Sequence, residues 1–327
     1  MQQLASSGEV EKLLSHKSWQ CIVFAEPLVA EDPRLDGPTL AALLRLVQGL
    51  AKDKRAVKLL LLSLGAQSAQ SGGAIGRGVL GASAWGFLRS VRLEVPHLQL
   101  RTVDFATEED LPELLPAELA ATGEWPADEE KAAELAEVAY ISRERCAPRL
   151  KLTPVTPGTQ KLEADGNHMI SGGFGGLGLS IAQELVDMGA RSLLLVSRSG
   201  RVSSDEKLQQ MFADLQASSA EVHAWSCDVA DAAKTREMLQ KAKSMDGPLR
   251  SVVHAAGIID FCEVGNLTTD SMNAVFKPKV SGAWNLHSGA SEDSADLAAF
   301  VLFSSVSSLV GLLGAQVDLG GSNSNAA

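Results

Sequence analysis

A short apolar run, Met169-Ile170-Ser171, passes directly into Gly172-Gly173-Phe174-Gly175-Gly176-Leu177-Gly178, and apolar residues at helical spacing follow at Ile181, Leu185 and Met188. Glycines allow the backbone to come close to a pyrophosphate. The start of the following helix offers free N–H groups and the positive end of its dipole. A glycine turn is common by itself, but a strand before it and a helix after it are the context this chemistry needs. The loop therefore predicts a dinucleotide site over Ser171, Gly172, Gly173, Phe174, Gly175, Gly176, Leu177 and Gly178.

The same alternation runs through the chain. Strands are expected at 20–25, 57–64, 98–105 and 138–143, with helices at 40–50, 82–94 and 111–121. Pro96 ends the second of these helices. After a segment holding Pro154, Pro157, Gly158 and Gly166, strands are expected at 169–171, 192–197, 221–227, 251–254 and 299–305. Helices are expected at 203–218, 231–243 and 271–287, the last interrupted near Pro278. Strand–helix alternation implies an α/β fold with a parallel, doubly wound sheet. The 327 residues suit two domains at about 150 residues each. The reading is a structural part over 1–150, a linker over 151–167 and a nucleotide-binding part over 168–327. Only 22 residues follow the last expected strand, and they end in GGSNSNAA where a long helix is expected to begin, so the sheet reads as incomplete at its C-terminal end.

With a net charge of −11, general nucleic-acid binding is not expected, and no basic membrane-binding patch is evident. No apolar run has the length, about 18 residues, that a spanning helix needs. The N-terminal MQQLASSGEVEKLL lacks the apolar core of a secretory signal, so a cytoplasmic location is expected. Cys21, Cys146, Cys227 and Cys262 are far apart and none has metal-ligand spacing with a histidine, so no metal site is expected.

The ends of the later strands supply the rest of a cofactor constellation. Ser197-Arg198 follows the second strand of this half. An acidic residue near that position would bind the ribose 2′-hydroxyl of NAD, whereas arginine suits the 2′-phosphate, so Arg198 marks NADPH. Cys227-Asp228-Val229 follows the third strand, where the acid can accept from the adenine amino group or cap the next helix; Asp231 is the better cap candidate. His254-Ala255-Ala256-Gly257 follows the fourth, with small residues that admit the cofactor ribose.

Taken together, Ser-Gly-Gly-Phe-Gly-Gly-Leu-Gly, Val-Ser-Arg, Cys-Asp-Val, His-Ala-Ala-Gly, Lys-Pro-Lys-Val-Ser-Gly-Ala and Leu-Phe-Ser-Ser-Val-Ser resemble the short-chain dehydrogenase/reductase family. More narrowly they resemble the ketoreductase domain of type I polyketide and fatty acid synthases. LLLLSLGAQ, AWGFLRSVRLEVP and VAYISRERCAPRL in the first half resemble the cofactor-free, truncated Rossmann-like subdomain of that domain. The resemblance implies reduction of a β-ketoacyl thioester held on an acyl carrier protein, beside neighbouring synthase domains, with NADPH as hydride source. It implies that Lys279 is the lysine that holds the ribose, that Ser305 hydrogen-bonds the substrate carbonyl, and that Asn323 completes the proton relay. Leu319 stands where the family has its proton-donating tyrosine, and the sole tyrosine of the chain is Tyr140. Leucine cannot donate a proton, so impaired turnover is expected, and a non-catalytic scaffold module is the alternative. Ile259-Asp260-Phe261 matches no stereochemical signature fully, which leaves the product configuration unassigned.

Overall fold

The computed structural model describes residues 7–15, 19, 21–25, 36–53, 57–67, 75–121, 126, 129–154, 165–291 and 297–311. The chain forms two compact units. One comprises Met1–Thr153, Asp260–Asn273 and Ser305–Ala327; the other comprises Pro154–Ile259 and Ala274–Ser304. The expected division at 151–167 is contiguous in sequence, whereas these units are not: two later segments group with the first.

In chain order the first unit runs α1 (Ser7–Ser15), β1 (Cys21–Phe24), α2 (Asp36–Asp53), β2 (Lys58–Leu64), α3 (Ile75–Glu94), β3 (Gln99–Phe105), α4 (Leu111–Ala121), α5 (Glu129–Ala136), β4 (Glu137–Ile141) and β5 (Glu144–Cys146). Its sheet has the order β1-β2-β3-β4-β5, parallel except for the last pair. The run of four leucines in β2, Leu59–Leu62, is buried on both faces, as a parallel strand between helical layers must be. Leu60, Leu62 and Leu64 pack with Val103, Phe105, Val138 and Tyr140 on one face. Each such aliphatic side chain contributes roughly 1.5–3 kcal/mol by leaving water.

Where a single strand is expected over 138–143, the chain turns back. Ser142 and Arg143 have φ of 51° and 67°, the left-handed conformation that both central residues of a tight two-residue hairpin turn require. Neither residue is a glycine or an asparagine, so the turn carries no composition signal. Tyr140 is buried in β4, where its hydroxyl donates to Glu118 Oε1 at 2.8 Å. Burial, then the neighbouring Glu118 carboxylate, pushes this phenol up to about 12. Its proton is committed to a structural contact.

The second unit runs β6 (Asn167–Ser171), α6 (Gly176–Asp187), β7 (Ser192–Ser197), α7 (Glu206–Gln216), β8 (Glu221–Ser226), α8 (Ala232–Lys243) and β9 (Leu249–His254). The chain continues through α9 (Thr269–Phe276), whose residues up to Asn273 group with the first unit, then a π-turn (Lys277–Ser281), α10 (Gly282–Ser291) and β10 (Ala299–Leu302). A final helical turn, α11 (Ser307–Val310), falls in the first unit. The second sheet is fully parallel with order β10-β9-β6-β7-β8. Neighbouring residues of each strand serve opposite faces. Met169, Leu194 and Val252 pack with Met238, Leu239 and Leu286 of α8 and α10. Ile170, Leu193, Leu195 and Val253 pack with Leu179 and Leu215 of α6 and α7. Helices thus cover both faces, the doubly wound architecture expected. β10 ends at Leu302, shorter than the expected 299–305, so Ser305 lies beyond the strand rather than at its end.

Candidate functional site

Strand order reverses between β6 and β9, and in open α/β sheets the crevice at such a reversal, beyond the carboxyl ends of the strands, is where ligands bind. Parallel pairing puts the ends of β6, β7, β8 and β9 on one edge. The segments Ser171–Gly178, Ser197–Arg198, Cys227–Val229 and His254–Gly257 therefore converge there, although they span 87 positions of sequence.

The glycine loop shows which of its residues the fold itself needs. Gly172 has φ +76°, and a Cβ there would lie 2.7 Å from the backbone of Ala255 and Ala256. A Cβ on Gly173 would lie 2.8 Å from the Ile170 carbonyl oxygen, and one on Gly178 only 2.2 Å from that of Gly172. Gly175 and Gly176 differ: a Cβ there would meet nothing closer than 3.5 Å and 3.7 Å. These two glycines leave room at the start of α6 that the protein does not use. Gly175 caps α6 with no side-chain hydrogen bond, and the first turn has no acidic residue. Uncapped N–H groups and the dipole end face this space, an electrostatic environment suited to a pyrophosphate. Phe174, expected among the cofactor contacts, turns its ring into the core against Phe212, so only its backbone belongs to the loop.

The loop is held by β7: Gly172 N and Gly173 N donate to Val196 O at 2.8 and 3.2 Å. Arg198 follows with its side chain exposed, and its carbonyl accepts from Ser226 Oγ at 2.7 Å. Asp228 is exposed and its carboxylate accepts from Ala230 N at 3.1 Å, a local turn. The helix cap is Asp231, which accepts from Ala233 N and Lys234 N at 3.1 Å each. The backbone of Val229 takes two hydrogen bonds, from Thr235 Oγ1 at 3.0 Å and Asn285 Nδ2 at 2.9 Å.

Lys279 sits in the π-turn, where Pro278 cannot donate to a regular helix ladder. The lysine is 7% exposed, and burial lowers its pKa to about 8. A Cβ on Gly257 would come within 3.0 Å of Lys279 Cε, so the absent side chain of Gly257 is what lets the lysine stem cross this loop. His254 is buried between β6 and the π-turn. Its Nδ1 lies 2.6 Å from Ser171 Oγ and its Nε2 lies 3.0 Å from the Pro278 carbonyl oxygen. Burial pushes its pKa down to about 4. The sequence pairs His254 with no partner; only the register that sets Ser171 opposite His254 brings the two together. Gly282 was likewise invisible as a site residue: a Cβ there would lie 2.9 Å from Val229 Cγ2 and 3.3 Å from His254 Cε1.

His254 makes stability pH-dependent. An unfolded histidine takes up a proton near pH 6.5, whereas the native one stays neutral to about pH 4. The unfolded state then binds more protons, so stability is lost as pH falls from 6.5 toward 4, by roughly 3 kcal/mol over the window. Urea titrations across that range are expected to show this slope, and His254→Gln to flatten it. An equal slope in the variant would assign the effect to other groups.

Ser305 lies in the first unit. Its Oγ is 2.6 Å from Ser307 Oγ and accepts the Ser307 N–H at 3.2 Å. The Ser305 hydroxyl is half-buried at the start of α11, next to the exposed Ser304. Leu319 and Asn323 lie outside the described residues. Among the described residues no cluster of histidine, cysteine, aspartate or glutamate is arranged to hold a metal, and no helix is long and apolar enough to cross a membrane.

A doubly wound parallel sheet with a glycine-rich turn at its switch point is a Rossmann-like architecture. Residues 166–324 match the KR domain family, and this part of the chain belongs to it. The chain is 37% identical over 235 residues, 71% of its length, to the spectinabilin polyketide synthase system protein NorA′ of Streptomyces orinoci. It is 38% identical over 199 residues to the 6-methylsalicylic acid synthase of Penicillium expansum. The chain spans 6% and 11% of those two relatives. Among solved structures it matches A-type ketoreductases from a modular polyketide synthase at 25% identity and TM-score 0.82, over 98% of this chain and 67% of that one. The first ketoreductase of the tylosin synthase matches at 26% identity and TM-score 0.79, over 99% and 67%.

Proposed function

We propose that this chain is the NADPH-binding ketoreductase part of a synthase, built to reduce a β-ketoacyl thioester on an acyl carrier protein to the β-hydroxyacyl form, and impaired in turnover by Leu319. Residues 1–150 serve as its structural half and 168–327 as its catalytic half, joined by 151–167. The glycine-rich turn is the observation that carries the reading: a Cβ on Gly175 or Gly176 would meet nothing closer than 3.5 Å, so the fold itself does not require glycine at the start of α6.

A bound NADPH would supply the hydride for the β-carbon. The loop Ser171–Gly178 holds the pyrophosphate with backbone N–H groups, and Arg198 pairs with the 2′-phosphate. Asp228 keeps one carboxylate oxygen available for the adenine amino group, since its local turn uses the other. The small residues Ala255, Ala256 and Gly257 admit the ribose, and the Lys279 ammonium holds its hydroxyls. The Ser305 hydroxyl donates to the substrate carbonyl oxygen as negative charge develops there. That oxygen must then gain a proton. Asn323 belongs to the relay that would replenish the donor, and Leu319 supplies no donor. The departure at Leu319 also favours a second reading, in which the chain keeps its cofactor pocket and acts as a non-catalytic module between neighbouring synthase domains.

The test is a fluorescence titration with NADPH, followed by addition of a β-ketoacyl thioester mimic while cofactor absorbance is recorded. Binding with little turnover is expected; absence of binding would overturn the cofactor assignment. Arg198→Ala is expected to weaken NADPH about 10- to 100-fold while leaving NADH affinity unchanged, the scale of a charge-assisted contact to a phosphate. Equal loss for both cofactors would remove Arg198 from the 2′-phosphate.

A further inference from the structure

We propose that His254 is a positioning residue that holds Lys279 at the cofactor site through the Pro278 carbonyl, with its ring anchored to the end of β6 by Ser171. The proposal rests on the reading that Lys279 contacts the cofactor. The directions of the two hydrogen bonds follow from chemistry. A carbonyl oxygen can only accept, so Nε2 carries the proton and donates to Pro278 O at 3.0 Å. Nδ1 is then an acceptor, and the Ser171 hydroxyl donates to it at 2.6 Å. The π-turn helps to make this possible. In a regular α-helix the Gly282 N–H would bond Pro278 O; here it goes to Lys277 O and Lys279 O instead.

The relay thus links three elements: the end of β6 that opens the glycine loop, the end of β9, and the turn that carries the lysine. Gly257, three residues past His254, supports the Lys279 stem from the same loop, and Gly282 gives the imidazole room. Burial obliges the imidazole to satisfy both nitrogens, and it does so with two bonds, one to the hydroxyl at the end of β6 and one to the carbonyl next to Lys279. His254 makes both while 1% exposed, and the lysine whose turn it holds is itself buried.

Two readouts test this, one of them free of cofactor. Competitive acylation of the Lys279 amine as a function of pH, read by mass spectrometry of its peptide, is expected to give a midpoint near 8 in the parent. In His254→Gln and Ser171→Ala the midpoint is expected to rise toward the ordinary lysine value of about 10.4 as the turn relaxes into water. Ser171→Thr, which keeps the hydroxyl, is expected to restore the parent midpoint. In NADPH titrations His254→Gln is expected to weaken binding about three- to tenfold in the parent background, and not at all in a Lys279→Ala background. Equal weakening in both backgrounds, or an unmoved acylation midpoint with NADPH binding intact, would overturn the positioning role. A midpoint that moves as expected in a parent that does not bind NADPH would support the link and overturn the cofactor reading instead. Should His254→Gln fail to fold, the Ser171→Ala and Ser171→Thr pair decides by the same criteria.

Discussion

Leu319→Tyr is expected to raise turnover of a β-ketoacyl thioester by about 10²- to 10⁴-fold over the parent chain, the range that a positioned general acid contributes. The reduction delivers a hydride to carbon and leaves an alkoxide-like oxygen that must be protonated. The proposed function puts residue 319 at the position of the proton-donating tyrosine, and a leucine side chain has no proton to give. Tyr140 is no substitute, because its hydroxyl is held by Glu118 inside the first unit. The measurement is the rate of NADPH absorbance loss with a thioester mimic, paired with an NADPH titration. The dissociation constant is expected to stay unchanged while kcat rises. A parent already as fast as the variant would show that another group donates the proton.

Gly178→Ala is expected to destabilise the second unit by about 2 kcal/mol or more and to abolish NADPH binding. The new Cβ would sit 2.2 Å from the Gly172 carbonyl oxygen, and the obstacle is backbone. Alanine in a helix gains up to about 1 kcal/mol over glycine. Overpacking of a tight contact costs about 1–3 kcal/mol and more where the neighbour cannot move, so the clash wins. Thermal melting should fall by about 4–8 °C. Gly175→Ala separates fold from function. Its Cβ has ordinary van der Waals room at 3.5 Å, so melting should shift little. NADPH affinity should still fall, because that methyl occupies the cradle. A Gly175→Ala protein that binds NADPH as the parent does would show that the space at the start of α6 is not the pyrophosphate site. A Gly178→Ala protein with unchanged melting would show that α6 can move away from β6 at no cost.

Much of this was legible in residue order. The strands β2, β3, β6, β7, β8 and β9 fall where apolar runs predict them, and Asp231 caps α8 as its position suggested. The interruption near Pro278 is the π-turn that carries Lys279. Local chemistry was enough for these, because each signal lies within a few residues of its consequence. Three features were not legible. The β4–β5 hairpin turns on Ser142 and Arg143, residues with no turn bias of their own. The Phe174 ring faces the core because Phe212, distant in sequence, packs against it. Two later segments join the first unit, which no contiguous reading of the sequence could expect.

The sequence alone determined the fold class, the glycine-rich turn between β6 and α6 and the family resemblance, since alternating apolar periodicity and glycine spacing are local properties of the chain. Only tertiary structure decided which glycines the fold requires and which it leaves open, because that depends on backbone brought in from Ala255 and on the Gly172 carbonyl. Tertiary structure likewise turned His254 from an unpartnered residue into a link between Ser171 and Pro278. Parallel register sets His254 opposite Ser171 across 83 positions, and burial then obliges both polar groups to be hydrogen-bonded.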